Sequence, residues 1–269
     1  MSKGFTDASG AAHPAAGDGA RIVCLVPSIT ELLCDLGLST ALVGRTGFCI
    51  HPRESVRVIP KVGGTKNVDL NKVRALKPTH VIVNVDENKR ETAAALAEFI
   101  PHVIVTHPLA PIDNYGLYRL LGDIFGVMPQ AQRLCAALDE VLALIAAHGP
   151  RPPRKVLYLI WREPWMTVGR DTYISRTLAH FNWCTQPGDR EERYPVIDLR
   201  EVATGVDEVL LSTEPFPFQT RHVLEAQTLC GGIPVRLIDG EMTSWYGSRA
   251  IAGLRYLHAF SRAHAPVAA

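Results

Sequence analysis

The 269-residue sequence has almost no excess of charge of either sign, because 28 lysines and arginines stand against 27 aspartates and glutamates, a formal net charge of +1. Nucleic-acid binding depends largely on a basic surface, so a nucleic-acid partner is not expected. Long apolar runs are lacking too. The longest, such as residues 141–147, fall far short of the roughly 20 residues that span a bilayer. We therefore expect neither nucleic-acid binding nor insertion into a membrane.

The sequence also lacks any Cys-x-x-Cys pair among its six cysteines. Scattered cysteines are typical of free thiols in a reducing compartment, rather than of a disulfide framework or a structural zinc site. The first 20 residues contain no run of about 7–15 apolar residues, which would form the core of a secretory signal. Both absences predict a cytoplasmic protein.

Common catalytic and nucleotide-binding motifs are missing as well: there is no G-x-S-x-G, Walker loop, H-E-x-x-H or G-x-G-x-x-G. This favours a binding protein over an enzyme. Two alternatives stay open. One is a cytosolic enzyme in which Cys49 and His51 act as nucleophile and base beside nearby carboxylates. The other is a scaffold or protein-interaction role.

What the sequence does contain is a regular alternation of strands and helices, which predicts an α/β fold with parallel sheets. Residues 1–20 lack periodicity and are expected to form a disordered tail. The run RIVCLVP from Arg21 predicts a buried strand, and Ser28-x-x-Glu31 a capping box for the next helix. The pattern predicts an N-terminal lobe at 21–128, a linking helix at 129–149 and a C-terminal lobe at 150–269. D-L-x-x-V occurs at Asp69 and again at Asp198, which suggests two similar lobes.

Several segments together resemble the class III, helical-backbone periplasmic binding proteins that serve ABC importers of cobalamin, ferric siderophores or haem. The resemblance covers residues 21 to about 262, and its carriers are RIVCLVPSITELLCDLGL, LVGRT, IPKVGGTKNVDLNKVRALKPTHVIV, the long helix, VLYLIWREPWMTVGRDTYISRTL and PVIDLREV. It implies two Rossmann-like lobes with parallel sheets, joined by one long backbone helix, with a ligand cleft between the lobes. The cobalamin-binding branch is the most similar.

Two departures from this family bear on the partner. Importer-associated members carry an export signal or lipid anchor, which this sequence does not show. They also present one acidic residue on each lobe to permease arginines; Pro60 stands at the first of these positions, and Glu201 matches the second. We therefore expect a leaderless, cytosolic-type member for which docking to an ABC permease is unlikely.

In the N-terminal lobe the candidate ligand-binding residues follow the second strand, since ligands of open α/β sheets bind beyond the carboxyl ends of the strands. Phe48 is a candidate contact, and Cys49 and His51 have the side chains of metal ligands. Alternatively, Cys49 is a small buried residue and His51 only hydrogen-bonds within its turn. Thr65, Lys66 and Asn67 end a Gly-Gly loop that is expected either to hold an anionic group or to be purely structural.

In the C-terminal lobe three loops after predicted strands combine aromatic and acidic side chains. Arg162 is a further candidate contact. Glu241 is a candidate metal ligand, and Glu214 and Asp239 are carboxylates for a metal or for a ligand's amides, with capping or surface roles as the alternative. The aromatic candidates are Trp161, Trp165, Phe216, Phe218, Trp245 and Tyr246.

Six aromatic side chains in three such loops suit a wide, conjugated ligand, because flat rings supply large contact area with little loss of entropy. The resemblance ranks cobalamin or another corrinoid first and a ferric chelate or haem next. Direct binding of a metal ion is an alternative. The sequence does not name a cofactor, and cobalamin or another metal chelate is expected as ligand.

Overall fold

The structure is a computed structural model that describes residues 6–149 and 151–263. The chain forms two compact units. Unit 1 comprises the chain as far as Pro108, with Ile112–Ala137 and Tyr246–Arg249; unit 2 comprises Leu109–Pro111, Leu138–Trp245 and the chain from Ala250 onward. Each unit contains a mainly parallel sheet, which confirms the predicted α/β fold.

Unit 1 is built on a four-stranded parallel sheet in the order β2-β1-β3-β4. Every residue of the two central strands β1 and β3 is buried, as their continuous apolar runs predict for strands covered on both faces. The elements are β1 Ile22–Cys24, α1 Pro27–Asp35, β2 Leu42–Arg45, α2 Arg53–Val56, α3 Leu70–Ala75, β3 His80–Asn84, α4 Arg90–Ala97, β4 His102–Thr106, α5 Asn114–Ile124 and the first part of α6 Met128–Ala146, which continues into unit 2 from Leu138.

Helix α1 begins earlier than the capping-box pattern predicts. Val26 is the N-cap and makes no side-chain hydrogen bond, so the expected box between Ser28 and Glu31 is not formed. The reason is Pro27, which occupies the first turn, where its missing N–H costs nothing and its fixed φ favours a helix start. The expected linking helix at 129–149 is α6, which ends at Ala146.

A disordered tail was expected for residues 1–20; residues 1–5 lie outside the described part of the chain, and two residues soon after them hydrogen-bond to β4. The Asp7 carboxylate accepts a hydrogen bond from the backbone N of Val105 at 2.9 Å, and Ala8 N donates to Val105 O at 2.9 Å. Val105 belongs to β4, an edge strand with unpaired backbone groups. These two bonds satisfy the backbone N–H and C=O of Val105 on that edge.

Unit 2 has β5 and β8 at the centre of its sheet, in the order β6-β5-β8-β9, with β7 also pairing with β5. Only β6 is antiparallel to β5. The elements are β5 Arg154–Trp161, β6 Met166–Thr167, α7 Tyr173–Ala179, β7 Trp183–Thr185, α8 Leu199–Ala203, β8 Glu208–Ser212, α9 Thr220–Leu229, β9 Val235–Ile238, α10 Gly240–Ser244 and α11 Arg249–Ala263.

The repeated D-L-x-x-V pattern marks the same local structure in both units. Asp69 is the N-cap of α3 and accepts from Lys72 N at 3.1 Å, and Asp198 is the N-cap of α8 and accepts from Arg200 N at 2.9 Å. Each helix precedes a buried strand, β3 or β8. No helix within the described residues is both long and apolar enough to cross a membrane.

Three histidines gather beside the first residues of β3 and β4. The His80 ring stacks on His102 with 4.7 Å between centroids, and His13 lies edge-on to His102 at 6.4 Å. His80 Nδ1 lies 2.8 Å from Thr79 Oγ1, while its buried Nε2 has no hydrogen-bond partner. Burial, followed by repulsion from His102 and His13, lowers the pKa of His80 to about 4.

We expect this depressed pKa to make the protein less stable in mild acid. Between about pH 6.5 and pH 4 the unfolded chain binds a proton at His80 that the folded chain does not, so the free energy of unfolding falls as the pH drops through this window. His80→Phe keeps an aromatic ring but has no titratable group. It should therefore weaken the dependence of the free energy of unfolding on pH within this window. Urea unfolding at several pH values measures it, with the exposed His148→Gln as control. An unchanged slope in His80→Phe would show that His80 does not cause the acid sensitivity.

Candidate functional site

The loops chosen from the sequence follow the carboxyl ends of strands in both units. In unit 1 the loop after β2 is tied to the Gly-Gly loop by a hydrogen bond from Gly47 N to Gly63 O at 2.8 Å. The Gly-Gly loop is tied in turn to the loop after β3, because Asn88 Nδ2 donates to Thr65 O at 3.0 Å. Three loops therefore form one surface, which we call the unit 1 face.

Large apolar side chains are exposed on the unit 1 face. Phe48 is 62% exposed, Ile50 is 50% exposed, and Val85 follows β3 with 51% of its surface exposed. Phe48 lies over the Gly-Gly loop: a Cβ added at Gly64 would come within 3.3 Å of its Cε2. Phe48 thus has the exposure that a ligand contact requires.

Cys49, by contrast, is completely buried. Its Sγ lies 3.1 Å from Thr30 Oγ1 and 3.2 Å from Thr46 Oγ1. Burial raises the pKa of the Cys49 thiol, outweighing the hydrogen bonds from both threonines. Metals and electrophiles react with thiolates, so this environment favours the reading of Cys49 as a small buried residue.

His51 is partly buried in the turn before α2, and Glu241 lies in the first turn of α10 in unit 2. Within residues 6–149 and 151–263 there is no group of three or more histidine, cysteine, aspartate and glutamate side chains that could hold a metal ion. This finding gives no support to metal coordination by Cys49, His51 and Glu241, which stays a prediction.

The residues expected to hold an anion make internal contacts instead. Lys66 Nζ donates to the backbone oxygen of Asp86 at 2.7 Å, and Asn67 O accepts from Gly64 N at 2.9 Å. Gly63 has φ +113°, and a Cβ there would lie 2.4 Å from Asn67 O, so only glycine fits. These contacts fit the structural role that the sequence left open for this loop.

Tyr246, expected among the aromatics of the C-terminal lobe, belongs to unit 1. Its hydroxyl donates to Glu87, and burial, followed by the Glu87 charge, raises its pKa well above the ordinary value. The next residue is held as well, because Gly247 N donates to Asn114 Oδ1 at 2.7 Å and Gly247 O accepts from Tyr118 at 2.8 Å. Sequence reasoning missed Glu87, although it follows the predicted strand HVIVN and the rule of polar residues after strands would have found it.

In unit 2 four aromatic rings pack together beyond β5 and β8. Trp161 meets Phe216 edge-on at 5.7 Å, Phe216 lies 4.7 Å from Phe218, and Trp165 stacks on Phe218 at 6.0 Å with 3° between the ring planes. Phe218 is buried, Trp165 and Phe216 are half-buried, and Trp161 is 40% exposed. We call these four rings the aromatic cluster; Trp161 is its most exposed member.

Trp245 is only 8% exposed and is held by a buried carboxylate. Its Nε1 donates to Glu214 Oε1 at 2.6 Å, and Ser244 Oγ donates to the same oxygen at 3.0 Å. Burial raises the pKa of Glu214, although both hydrogen bonds oppose this. Asp239, the second carboxylate of this region, caps α10 by accepting from Met242 N at 3.1 Å. Capping is the alternative role that the sequence allowed for it.

Arg162 lies beside the aromatic cluster and is paired with two carboxylates. Its Nε and Nη2 donate to Glu225 Oε1 at 3.2 and 2.7 Å, and Nη2 lies 3.2 Å from Glu163 Oε1. The hydrogen bond from Arg162 to Glu225 raises the pKa of the guanidinium further. Both faces therefore contain exposed apolar surface beside cations that already have partners.

Comparison with known proteins gives a family and a fold. Residues 22–184 match the family described as periplasmic binding protein. An uncharacterized ABC transporter substrate-binding lipoprotein of Bacillus subtilis, YvrC, is 27% identical over 167 residues, 59% of this chain and 52% of the relative. The match thus spans about half the length of that curated relative.

Solved structures show the same fold at low sequence identity. The periplasmic vitamin B12-binding protein BtuF of Vibrio cholerae has a TM-score of 0.77 and 15% identity, covering 90% of this chain and 96% of that one. The periplasmic heme-binding protein RhuT from Roseiflexus sp. RS-1 also has a TM-score of 0.77, with 21% identity over 92% and 99%. Likenesses this distant establish the fold alone.

The expectation of a cytoplasmic protein is wrong. A family of periplasmic binding proteins matches the chain, and the curated relative is a lipoprotein of an ABC transporter. The same relative counts against the expectation that docking to an ABC permease is unlikely. Scattered cysteines proved a poor guide to compartment, since reduced and oxidised compartments both hold proteins without paired thiols.

We expect substitution by phenylalanine to destabilise the protein much more at Trp245 than at Trp161. Trp245→Phe removes the indole donor and leaves the buried Glu214 without one hydrogen bond, which should lower the free energy of unfolding by about 1–3 kcal/mol. Trp161→Phe, at an exposed position, should change it by less than about 0.5 kcal/mol. Urea unfolding of both variants measures the difference. Equal destabilisation would show that the hydrogen bond from Trp245 to Glu214 does not stabilise the fold.

Proposed function

Because the chain belongs to the periplasmic binding protein family, we propose that it binds a planar metal chelate and that the aromatic cluster of unit 2 contacts this ligand. A corrinoid such as cobalamin is the first choice, and a ferric chelate or haem the next. BtuF, which binds vitamin B12, and RhuT, which binds heme, share the fold and support this class of ligand.

The aromatic cluster is the observation that carries this proposal. Four rings follow two adjacent parallel strands at the edge where ligands of open α/β sheets bind, and Trp161 keeps 40% of its surface exposed. Exposed aromatic rings offer a flat, apolar surface that matches a conjugated macrocycle. Phe48, Ile50 and Val85 supply a second apolar surface on unit 1.

The enzyme alternative draws no support from the geometry. Its nucleophile would be Cys49, whose thiol is buried with a raised pKa and so stays protonated near neutral pH. A bare metal ion as ligand is disfavoured within the described residues by the absence of a side-chain group that could hold one.

We further propose that the protein works outside the cytoplasm and passes its ligand to the permease of an ABC importer. The curated relative, a substrate-binding lipoprotein, supports this location. Glu201 is exposed in the first turn of α8 and offers a carboxylate to a permease cation. Fractionation of cells that express the full-length gene product tests the location, and recovery in the cytosol would refute it.

We expect Trp161→Ala to weaken ligand binding strongly. Loss of a large aromatic contact costs about 2 kcal/mol at a binding hot spot, so the Kd for the bound chelate should rise roughly thirtyfold. Titration with cyanocobalamin, haem and ferric chelates, followed by visible absorption, measures this.

Leu144→Ala is the matched control, since Leu144 is 38% exposed but belongs to helix α6 and not to a loop after a strand. Its Kd should equal that of the wild type. If the wild type binds none of the chelates, the proposed function is wrong; if Trp161→Ala and Leu144→Ala bind alike, the aromatic cluster is not the site.

A further inference from the structure

We infer that the ligand taken by this protein is uncharged or cationic, because the arginine beside the aromatic cluster is neutralised by carboxylates of unit 2 itself. The inference rests on the proposed function and specifies the chemical class of its ligand. Glu225 is the main residue that discriminates neutral or cationic ligands from anionic ones, and Glu163 makes a smaller contribution.

The first step is the geometry of the pair. Both Nε and Nη2 of Arg162 donate to one oxygen of Glu225, at 3.2 and 2.7 Å, and Glu163 approaches Nη2 at 3.2 Å. The Arg162 and Glu225 side chains keep only 28% and 36% of their surfaces exposed. Hydrogen bonds between two charged groups are among the strongest in proteins, so a ligand must compete for this guanidinium.

The second step is the position of the pair. Arg162 directly follows Trp161, the most exposed ring of the aromatic cluster. Glu225 lies on α9, three residues after His222, whose ring contacts Phe216 and Phe218 at 5.6 and 5.7 Å between centroids. Trp161 contacts Phe216, and Arg162 acts electrostatically on the same His222 ring, so the Arg162–Glu225 pair lies beside the aromatic cluster.

The third step is the charge of this region. Two cations, Arg162 and Arg221, act electrostatically on His222 together with the Glu225 carboxylate, and Glu163 supplies a second negative charge next to Arg162. These two cations and two carboxylates sum to zero. An aromatic surface without net positive charge gives no long-range attraction for an anion.

The unit 1 face carries carboxylates as well as the ammonium of Lys66. The ammonium of Lys66 donates to the Asp86 carbonyl at 2.7 Å, and the carboxylates of Asp86 and Glu87 follow β3 in the same loop. To pair with Arg162 in unit 2, an anionic chelate would have to displace Glu225 or Glu163 from the guanidinium. A neutral corrinoid, whose rim is made of amides, requires no such displacement.

The test compares three probes of different charge on the intact protein: cyanocobalamin, which carries no net charge; ferrioxamine B, a cationic ferric trihydroxamate; and haem, which carries propionates. We expect the wild type to bind cyanocobalamin or ferrioxamine B at least about tenfold more tightly than haem. Glu225→Gln should shift the ratio of the haem Kd to the Kd of the preferred probe at least about tenfold towards haem, because it frees a guanidinium.

Glu163→Gln provides a second variant at a more exposed position and should shift the same ratio in the same direction by a smaller factor. Glu140→Gln is the matched control: this carboxylate pairs with Arg255, remote in sequence from the cluster, and its loss should leave the ratio unchanged. Haem as the preferred probe of the wild type, or an unmoved ratio in both Glu225→Gln and Glu163→Gln, would overturn the inference and leave the proposed function standing. Failure of all three probes to bind would overturn both.

Discussion

The central strands of both sheets are buried on both faces, and this constraint decides where the charged side chains and the exposed aromatic rings lie. A parallel strand covered on both sides has to be apolar along its length, as β1 in unit 1 and β8 in unit 2 are almost throughout. Aromatic rings with exposed edges, carboxylates and guanidinium groups are left to the loops after the strands. The concentration of unusual side chains at one edge of each sheet is a consequence of this burial.

Carboxylates in these loops hold aromatic side chains in place. Glu214 accepts from the indole of Trp245, and Glu87 accepts from the hydroxyl of Tyr246. Buried polar groups need hydrogen-bond partners, so each pair satisfies both of its members and fixes the ring rigidly. Glu214 and Glu87 are therefore part of the framework of the loops, and ligand contact falls to more exposed side chains such as Trp161 and Phe48.

Other acceptors in these loops and helices bind the cations of the two faces. Arg162 pairs with the carboxylates of Glu225 and Glu163, and Lys66 donates to the backbone oxygen of Asp86. A surface that is aromatic and locally neutral differs from one built to attract anions, although both would have the same fold. The fold is shared with proteins named for vitamin B12 and for heme, so the choice of ligand within this family has to come from such side-chain pairs.

The sequence by itself determined the features that depend on neighbouring residues. The alternation of apolar runs and amphipathic segments predicted the two α/β units. Asp69 and Asp198 are the N-caps of the helices that begin at the next residue, α3 and α8. Its resemblance to periplasmic binding proteins was also correct. Its prediction of compartment failed because cysteine spacing does not report on location.

Only the tertiary structure decided which candidates are exposed. The sequence did not distinguish the six aromatic candidates from one another, yet Trp161 is 40% exposed and Phe218 is 2% exposed. The Asp7 carboxylate accepts a hydrogen bond from the backbone N of Val105 on β4, and the Tyr246 hydroxyl donates to Glu87 at a sequence separation of 159 residues. Burial and pairing depend on groups brought together from distant parts of the chain, and no local pattern contains that information.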